Sequence, residues 1–212
     1  HIFVCGNPPP DLIERLIKLA PDTLIAQHIS NGWTPLHVAC FSGASCDIIR
    51  MLVEARPKSA ELKDKVGRLP LHIACNCSLL NQHEGSSLQA MLKGGLLEIL
   101  NLLVSAYPKG IDANNKHAKL PSYYLSKAVP ESSSTEHFYL LHEVENAGFS
   151  PYLIKLLVGA LFGMLPLHHA AATLDALEEK SLLLLVNAYP DSIIAADKYG
   201  MFPFHHACLN PA

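Results

Sequence analysis

The sequence lacks a strong excess of either charge. Its 212 residues include sixteen basic and nineteen acidic side chains, so the formal net charge is -3. Proteins that hold nucleic acid or an anionic membrane by electrostatic attraction usually carry a basic stripe or tail, and the sequence contains neither. We therefore expect no nucleic-acid partner.

Long hydrophobic runs are also missing. The longest uncharged apolar run, from Leu156 to Leu167, is well short of the ~20 residues that a membrane-spanning helix needs. The six cysteines are too sparse for a disulfide scaffold. His1 opens the chain without a Met, a basic region or a signal-type hydrophobic stretch. We expect a piece of a longer protein that does not insert into membranes and lies in the cytoplasm, with the nucleus left open.

The sequence does contain a repeated motif. Five times a Gly or Ala is followed by two variable residues and then by Pro, usually with Leu-His after it. The copies are residues 32–37, 67–72, 118–123, 163–168 and 200–205. Their last positions, counted from His1, are 36, 35, 51, 45 and 37 residues apart, which indicates a period in the mid-thirties with two insertions.

Each repeat predicts two helices. Proline is favoured in the first turn of a helix, so each Pro-Leu-His predicts the start of a short first helix. Apolar residues at i, i+1, i+4 and i+5 predict a second helix, and fifteen of sixteen such positions are apolar. The residue before a proline is pushed out of the α region, so these helices should end there. The prolines concerned are Pro21, Pro57, Pro108 and Pro190.

The connector to the next repeat is predicted to project as a hairpin-like finger. Residues 64–67 and 197–200 both have Asp first and Gly fourth, the preference of a type I turn. Helix, turn, helix and finger at this period, with Thr-Pro-Leu-His-Val-Ala at residues 34–39, resembles the ankyrin-repeat family. Only Thr34 keeps the hydroxyl of the family motif, and the second helices end in Pro where the family usually has Gly. We infer a divergent subgroup.

The resemblance covers essentially the whole chain and implies an all-α, ankyrin-like helix-turn-helix solenoid with projecting finger loops. We expect a single array over residues 1–212, incomplete at both ends. Its units would be about 1–31, 32–66, 67–117, 118–162, 163–199 and 200–212.

Two places leave alternatives open. The third unit has a polar, glycine-bearing insertion, residues 81–87 and 93–95, which is either a plain surface loop or a binding loop. In the fourth unit, residues 138–147 and 151–158 both have helical patterns. One of them is the regular second helix, and the other is an extra apolar helix.

The twelve histidines raise the question of a metal site or a catalytic site. His37, His72, His168 and His205 recur once per unit, whereas an enzyme needs a single site. In the family that the chain resembles, such histidines look structural and bond the backbone of the adjoining turn. Each His-x-x-Cys pair would supply only two of the four ligands that a tetrahedral zinc site needs, so we do not interpret these pairs as metal sites. We predict no catalytic residue, no metal and no cofactor.

The resemblance implies protein binding rather than catalysis, because stacked units present one long concave surface of fingers and first helices. We expect a scaffold or adaptor, monomeric as a fragment, that is not an enzyme. The alternative is a regulatory or targeting segment of a larger enzyme or membrane channel. The candidate partner-binding residues are basic and aromatic, which favours an acidic or mixed peptide. They are Trp33, Lys65, Arg68, His117, Lys119, Lys198, Tyr199 and Met201 on the fingers, and Tyr124, His169 and His206 on the first helices.

Overall fold

The computed structural model describes residues 8–76, 95–128, 134–161, 167–168, 171, 179–196 and 199–209. Within these ranges the chain contains α-helices and short 3-10 helices and no strand, as predicted. It divides into an N-terminal unit, His1–Val129, and a C-terminal unit, Pro130–Ala212. The single array over residues 1–212 stays a prediction. None of the described helices combines the length and apolar character that a membrane crossing requires.

The N-terminal unit alternates first and second helices. The first helices are α2 (Pro35–Ser42), α4 (Pro70–Cys75) and α6 (Pro121–Ala128), and the second helices are α1 (Pro10–Leu19), α3 (Cys46–Ala55) and α5 (Leu96–Ala106). First helices pack on first helices and second helices on second helices. Within a repeat, α2 packs on α3 and α4 packs on α5. This is the predicted helix-turn-helix repeat in two rows.

Each first helix begins at the repeat proline, as predicted. The Thr34 side chain accepts a hydrogen bond from the backbone N–H of His37 and caps α2. No side-chain oxygen caps α4, where Leu69 holds the same position. Ala39 and Ala74 are buried in these helices, and their small side chains allow neighbouring backbones to approach closely.

The apolar stripes of the second helices form the core between the two rows. In α3 and α5 all eight stripe residues are buried, each contributing about 1.5–3 kcal/mol. They are Ile48, Ile49, Leu52 and Val53 in α3 and Ile99, Leu100, Leu103 and Val104 in α5. In α1 only Ile13 is buried, and Leu16 is 38% exposed.

The prolines end the second helices as predicted. Arg56, the residue before Pro57, has φ -151° and ψ 79°, outside the α region. A 3-10 helix, Pro57–Glu61, follows, because proline suits the first turn of a new helix. The same arrangement recurs at Pro21–Ile25, Pro108–Asp112 and Pro190–Ile193.

Neighbouring fingers are hydrogen-bonded to one another. The N–H of Gly67 donates to the carbonyl of Asp64 at 2.9 Å, which confirms the first predicted turn. The N–H of Lys65 donates to Asn31 of the preceding finger at 3.0 Å. Gly32 has φ 75°, and a Cβ there would lie 2.9 Å from the Lys65 nitrogen, so this contact requires glycine. The second predicted turn, residues 197–200, lies partly outside the described residues.

The C-terminal unit contains α7 (Ser134–Asn146), α8 (Pro151–Leu161), α9 (Glu179–Ala188) and α10 (Pro203–Leu209). Both candidate second helices of the fourth unit therefore form. Helix α8 packs on both α7 and α9, and the Tyr189 hydroxyl donates to the Lys155 carbonyl at 3.0 Å. Second helices pack on second helices in the N-terminal unit, so the contact with α9 favours α8 as the regular second helix and α7 as the extra one. The insertion lies outside the described residues except for Gly95, which precedes α5.

Candidate functional site

The repeat histidines bond two units together. The N–H of Leu69 donates to Nδ1 of His72 at 3.1 Å, and a backbone N–H can only donate, so this nitrogen is unprotonated. The proton is therefore on Nε2, which lies 3.2 Å from the Lys119 carbonyl of the next finger. His37 makes the same pair of contacts, with the N–H of Thr34 and the carbonyl of Arg68. The predicted structural role of these two histidines is confirmed.

Burial lowers the pKa of His37, and it lowers the pKa of His72 to about 4. Both rings are neutral at pH 7, and both nitrogens of each ring are already engaged. In the other unit, Nε2 of His168 lies 2.9 Å from the Met201 carbonyl, and Nδ1 of His205 accepts from the N–H of Phe202 at 3.0 Å. No group of three or more His, Cys, Asp or Glu in the described part of the chain is arranged to hold a metal ion.

The second finger, residues 64–68, is held by Asp64. Its Oδ1 accepts from the N–H of Val66 at 2.9 Å and of Arg68 at 2.8 Å. Its Oδ2 accepts from Nε of Arg68 at 2.8 Å and from the indole N–H of Trp33 at 3.2 Å. Burial alone would raise the pKa of Asp64, but the hydrogen bonds and charge from Arg68 lower it. This carboxylate fixes the finger and the tryptophan of the preceding repeat.

Asn115 does the same work in the third finger, residues 115–119. Its Oδ1 accepts from the N–H of His117 at 2.8 Å and of Lys119 at 3.1 Å. Its Nδ2 donates to the Tyr124 hydroxyl at 2.7 Å. One buried side-chain oxygen therefore organises each of these fingers, and its second polar atom positions a neighbouring side chain.

An aromatic pair lies at the base of the first finger. The rings of Trp33 and Phe41 are 4.9 Å apart at 55°, and Phe41 is 59% exposed. The guanidinium of Arg68 lies 5.9 Å from the Trp33 ring, within cation–π range. Trp33 and Phe41 stand four residues before and four residues after His37. We call them the aromatic pair.

A basic cluster occupies the same two positions in the unit that begins with α6. Lys119 and Lys127 stand four residues before and after Tyr123, which replaces the repeat histidine. Their ammonium groups lie 4.1 and 4.9 Å from the Tyr123 ring centre. A hydrogen bond with Lys127 and the charges of both lysines lower the pKa of the Tyr123 hydroxyl. Tyr123, Lys119 and Lys127 form what we call the Tyr123 cluster.

A family model for ankyrin repeats, in three copies, matches residues 1–117, more than half of the chain. The chain belongs to the ankyrin-repeat family. This identifies the helix-turn-helix arrangement as an ankyrin solenoid. Ankyrin repeats generally mediate protein–protein interaction, and domains built from them are typically non-catalytic. No curated protein matches the chain.

The structure brings two of the predicted binding residues of the N-terminal unit, Trp33 and Arg68, into contact. Lys65 and His117 are exposed at the finger tips, and the Lys65 ammonium bonds the Ile29 carbonyl. Arg68 is half-buried against Asp64. Tyr124 is half-buried, and its ring packs edge-on to His72 at 6.2 Å, so its contacts lie within the repeat stack.

The remaining predicted residues belong to the C-terminal unit. Tyr199 is 74% exposed, and the Met201 carbonyl accepts the bond from His168 described above. The ring of His206 packs edge-on to that of His168, with ring centres 5.4 Å apart. Tyr124 packs on His72 in the same way in the N-terminal unit. His169 and Lys198 lie outside the described residues.

The sequence reasoning missed three residues of this surface: Phe41, Tyr123 and Lys127. Their signal was the offset from the repeat histidine, since Phe41 and Lys127 hold the same position in different units. A separate open cleft of about 330 Å³ lies in the C-terminal unit and is lined by residues of α7, α8 and α9, including Glu145 and Lys155. No described His or Cys lines it.

Proposed function

We propose that this ankyrin-repeat chain is a scaffold or adaptor that binds a partner protein through its fingers and first helices. In the N-terminal unit these are residues 26–43, 62–76 and 113–128, which we call the finger face. The observation that carries the proposal is the pair of positions flanking each repeat histidine. They hold the aromatic pair in one repeat, Arg68 and Asn76 in the next, and two lysines in the third.

The frame beneath these side chains is constant while the side chains differ. His37 and His72 each bond the following finger, and Lys65 and Lys116 each bond the preceding one through their backbone N–H groups. A surface held in this way loses little conformational entropy when a partner docks. Tryptophan and arginine are among the residue types that most often dominate binding energy at interfaces, and Trp33 and Arg68 are both half-buried on this face.

The proposal extends to the C-terminal unit, where Tyr199, Met201 and His206, with His169 and Lys198, are candidate contacts. We also propose an intracellular setting for this function. Cys75 is a buried free thiol, the state in which cysteines are kept in the reducing cytosol.

Two variants of the complete 212-residue chain test the function. Phe41→Ala with Tyr123→Ala removes two rings from the finger face. Leu19→Ala is the control, because Leu19 is 80% exposed at the end of the second helix α1. Each immobilised protein is exposed to cell extract, and retained proteins are quantified by mass spectrometry.

We expect the unmodified chain and the control to retain the same partner. The double variant should retain about tenfold less of it, because interface hot spots are lost. Circular dichroism melts must show that all three proteins are equally folded. A partner retained equally by all three would place the binding surface elsewhere and contradict the proposal.

A further inference from the structure

Charge is divided unevenly between the two sides of the N-terminal unit. The finger face carries six basic residues and one acidic residue, Asp64. The remaining described residues of the six helices and their turns, 8–25, 44–61 and 95–112, carry eight acidic and six basic residues. The finger face is therefore locally basic although the whole chain has a formal charge of -3. Its basic residues are Lys63, Lys65, Arg68, Lys116, Lys119 and Lys127.

The acidic residue on this face is not available to a partner. The Asp64 side chain is fully buried, and its two oxygens accept the four hydrogen bonds described above. Among the described residues, no carboxylate lies within ion-pair distance of Lys65, Lys119 or Lys127. The ammonium groups of these three lysines therefore carry a positive charge that no carboxylate of the described residues neutralises.

The chemical character of the finger face also changes along the repeat stack, from aromatic to basic. The aromatic pair lies on the unit that begins with α2, and the Tyr123 cluster lies on the unit that begins with α6, with α4 between them. Packed helices are 8 to 10 Å apart, so two steps of the stack span about 16–20 Å. An extended peptide advances about 3.3 Å per residue and covers that span with about five or six residues.

We propose that the partner presents an extended segment rich in Asp and Glu, with one large apolar side chain about five residues from its carboxylates. The apolar side chain packs on the aromatic pair, and the carboxylates lie between Lys119 and Lys127, within reach of the Tyr123 hydroxyl. The inference rests on the proposed function and names the partner's chemistry. A nucleic acid is a poorer fit because the opposite side of the unit and the chain as a whole are acidic.

The probe is a fluorescein-labelled peptide with one Phe, four Ser and three Glu in that order. Binding to the complete 212-residue chain is measured by fluorescence anisotropy at low and high salt. Three peptides serve as comparisons: one with Ser in place of Phe, one with Lys in place of Glu, and one of scrambled order. We expect the first peptide to bind at least about tenfold more tightly than each of the others, and less tightly at high salt.

Matched charge reversals test the location. Lys119→Glu with Lys127→Glu alters the Tyr123 cluster, and Lys58→Glu with Lys109→Glu makes the same change of net charge on exposed turns after α3 and α5. We expect about tenfold weaker binding for the first pair and less than about twofold for the second. Lys119→Gln with Lys127→Gln repeats the test with a smaller perturbation of the fold, and circular dichroism checks each protein.

Three results would overturn the inference: no saturable binding of the Phe–Glu peptide, equal binding of the scrambled peptide, or equal weakening by both charge reversals. Single-stranded RNA or anionic vesicles binding as tightly as the peptide would also overturn it. If the captured partner depends on the finger face but binds through a segment without acidic residues, the inference fails and the proposed function stands. If no partner depends on that face, both fail.

Discussion

Replacing Asp64 tests whether one buried carboxylate holds the second finger and the aromatic pair in place. Asp64→Asn keeps one oxygen for the N–H groups of Val66 and Arg68, as Asn115 does in the next finger. It also turns an amide NH₂ towards two donors, the guanidinium of Arg68 and the indole of Trp33. Asp64→Ala removes every one of these bonds.

The two substitutions should therefore differ in cost. Loss of the ion pair with half-buried Arg68 and of the indole bond predicts about 1–2 kcal/mol for Asp64→Asn. Asp64→Ala additionally leaves two backbone N–H groups without their acceptor, which predicts about 3–4 kcal/mol in total. The expected order of stability is Asp64, then Asn, then Ala.

Urea unfolding followed by tryptophan fluorescence measures this directly, because Trp33 is the one tryptophan of the chain and lies against Asp64. Asp47→Ala is the control, since Asp47 forms an exposed ion pair with Arg50 and should cost less than about 1 kcal/mol. Equal losses for Asn and Ala at position 64, or losses no larger than that of the control, would refute the argument.

Other substitutions and conditions test the repeat frame. As pH falls from 6.5 towards 4, urea melts should show the N-terminal unit losing about 2–3 kcal/mol, because the unfolded chain protonates His72 before the folded one; a flat profile would contradict its unprotonated Nδ1. Gly32→Ala should cost about 2 kcal/mol, and Gly95→Ala about 1, because both have positive φ but only Gly32 adjoins the Lys65 backbone; equal costs would count against that contact. Ala118→Gly should raise the free energy of unfolding by about 0.5–1 kcal/mol, because Ala118 has φ 54°, which strains a residue with a Cβ. A lower free energy of unfolding would show that the strain is absent.

The parts of the fold that could be predicted are those that the chain repeats. The recurrence of Pro-Leu-His carried the ankyrin resemblance, which implied the structural role of His37 and His72, and the structure confirms it with bonds to the backbone on both ring nitrogens. The ends of the second helices before proline could be predicted because proline restricts the backbone of the residue that precedes it. Local rules of this kind do not depend on what packs against the segment.

The fourth unit shows where such rules stop. Both α7 and α8 have helical sequence patterns, and both form. Which one packs as a second helix depends on its contact with α9, a helix that begins only at Glu179. Amphipathic periodicity identifies a helix but does not identify its packing partner, so the choice required the structure.

The candidate surface was only partly predictable for a related reason. Trp33 and Lys119 were found because they stand at finger bases, but Phe41 and Lys127 lie in the second turn of the following helix. The structure brings each pair together across the start of that helix, with Phe41 on Trp33 and Lys127 beside the ring that Lys119 covers. Comparing equal offsets between repeats, rather than scanning each finger alone, is the sequence procedure that would find them.

Tyr123 connects the repeat frame to the surface. A phenol has no ring nitrogen, so it cannot accept a backbone N–H as Nδ1 of His72 does, and this copy of the repeat gives up the histidine's link. The ammonium groups of Lys119 and Lys127 lie 4.1 and 4.9 Å from its ring centre instead, so the phenolic hydroxyl and both ammonium groups can donate to one anion. Replacing Tyr123 with His should therefore favour the repeat frame and weaken acidic-peptide binding, whereas Tyr123→Phe should weaken binding only by the loss of one hydroxyl. Separate measurement of stability and peptide affinity in these two variants distinguishes a position kept for stacking from one kept for recognition.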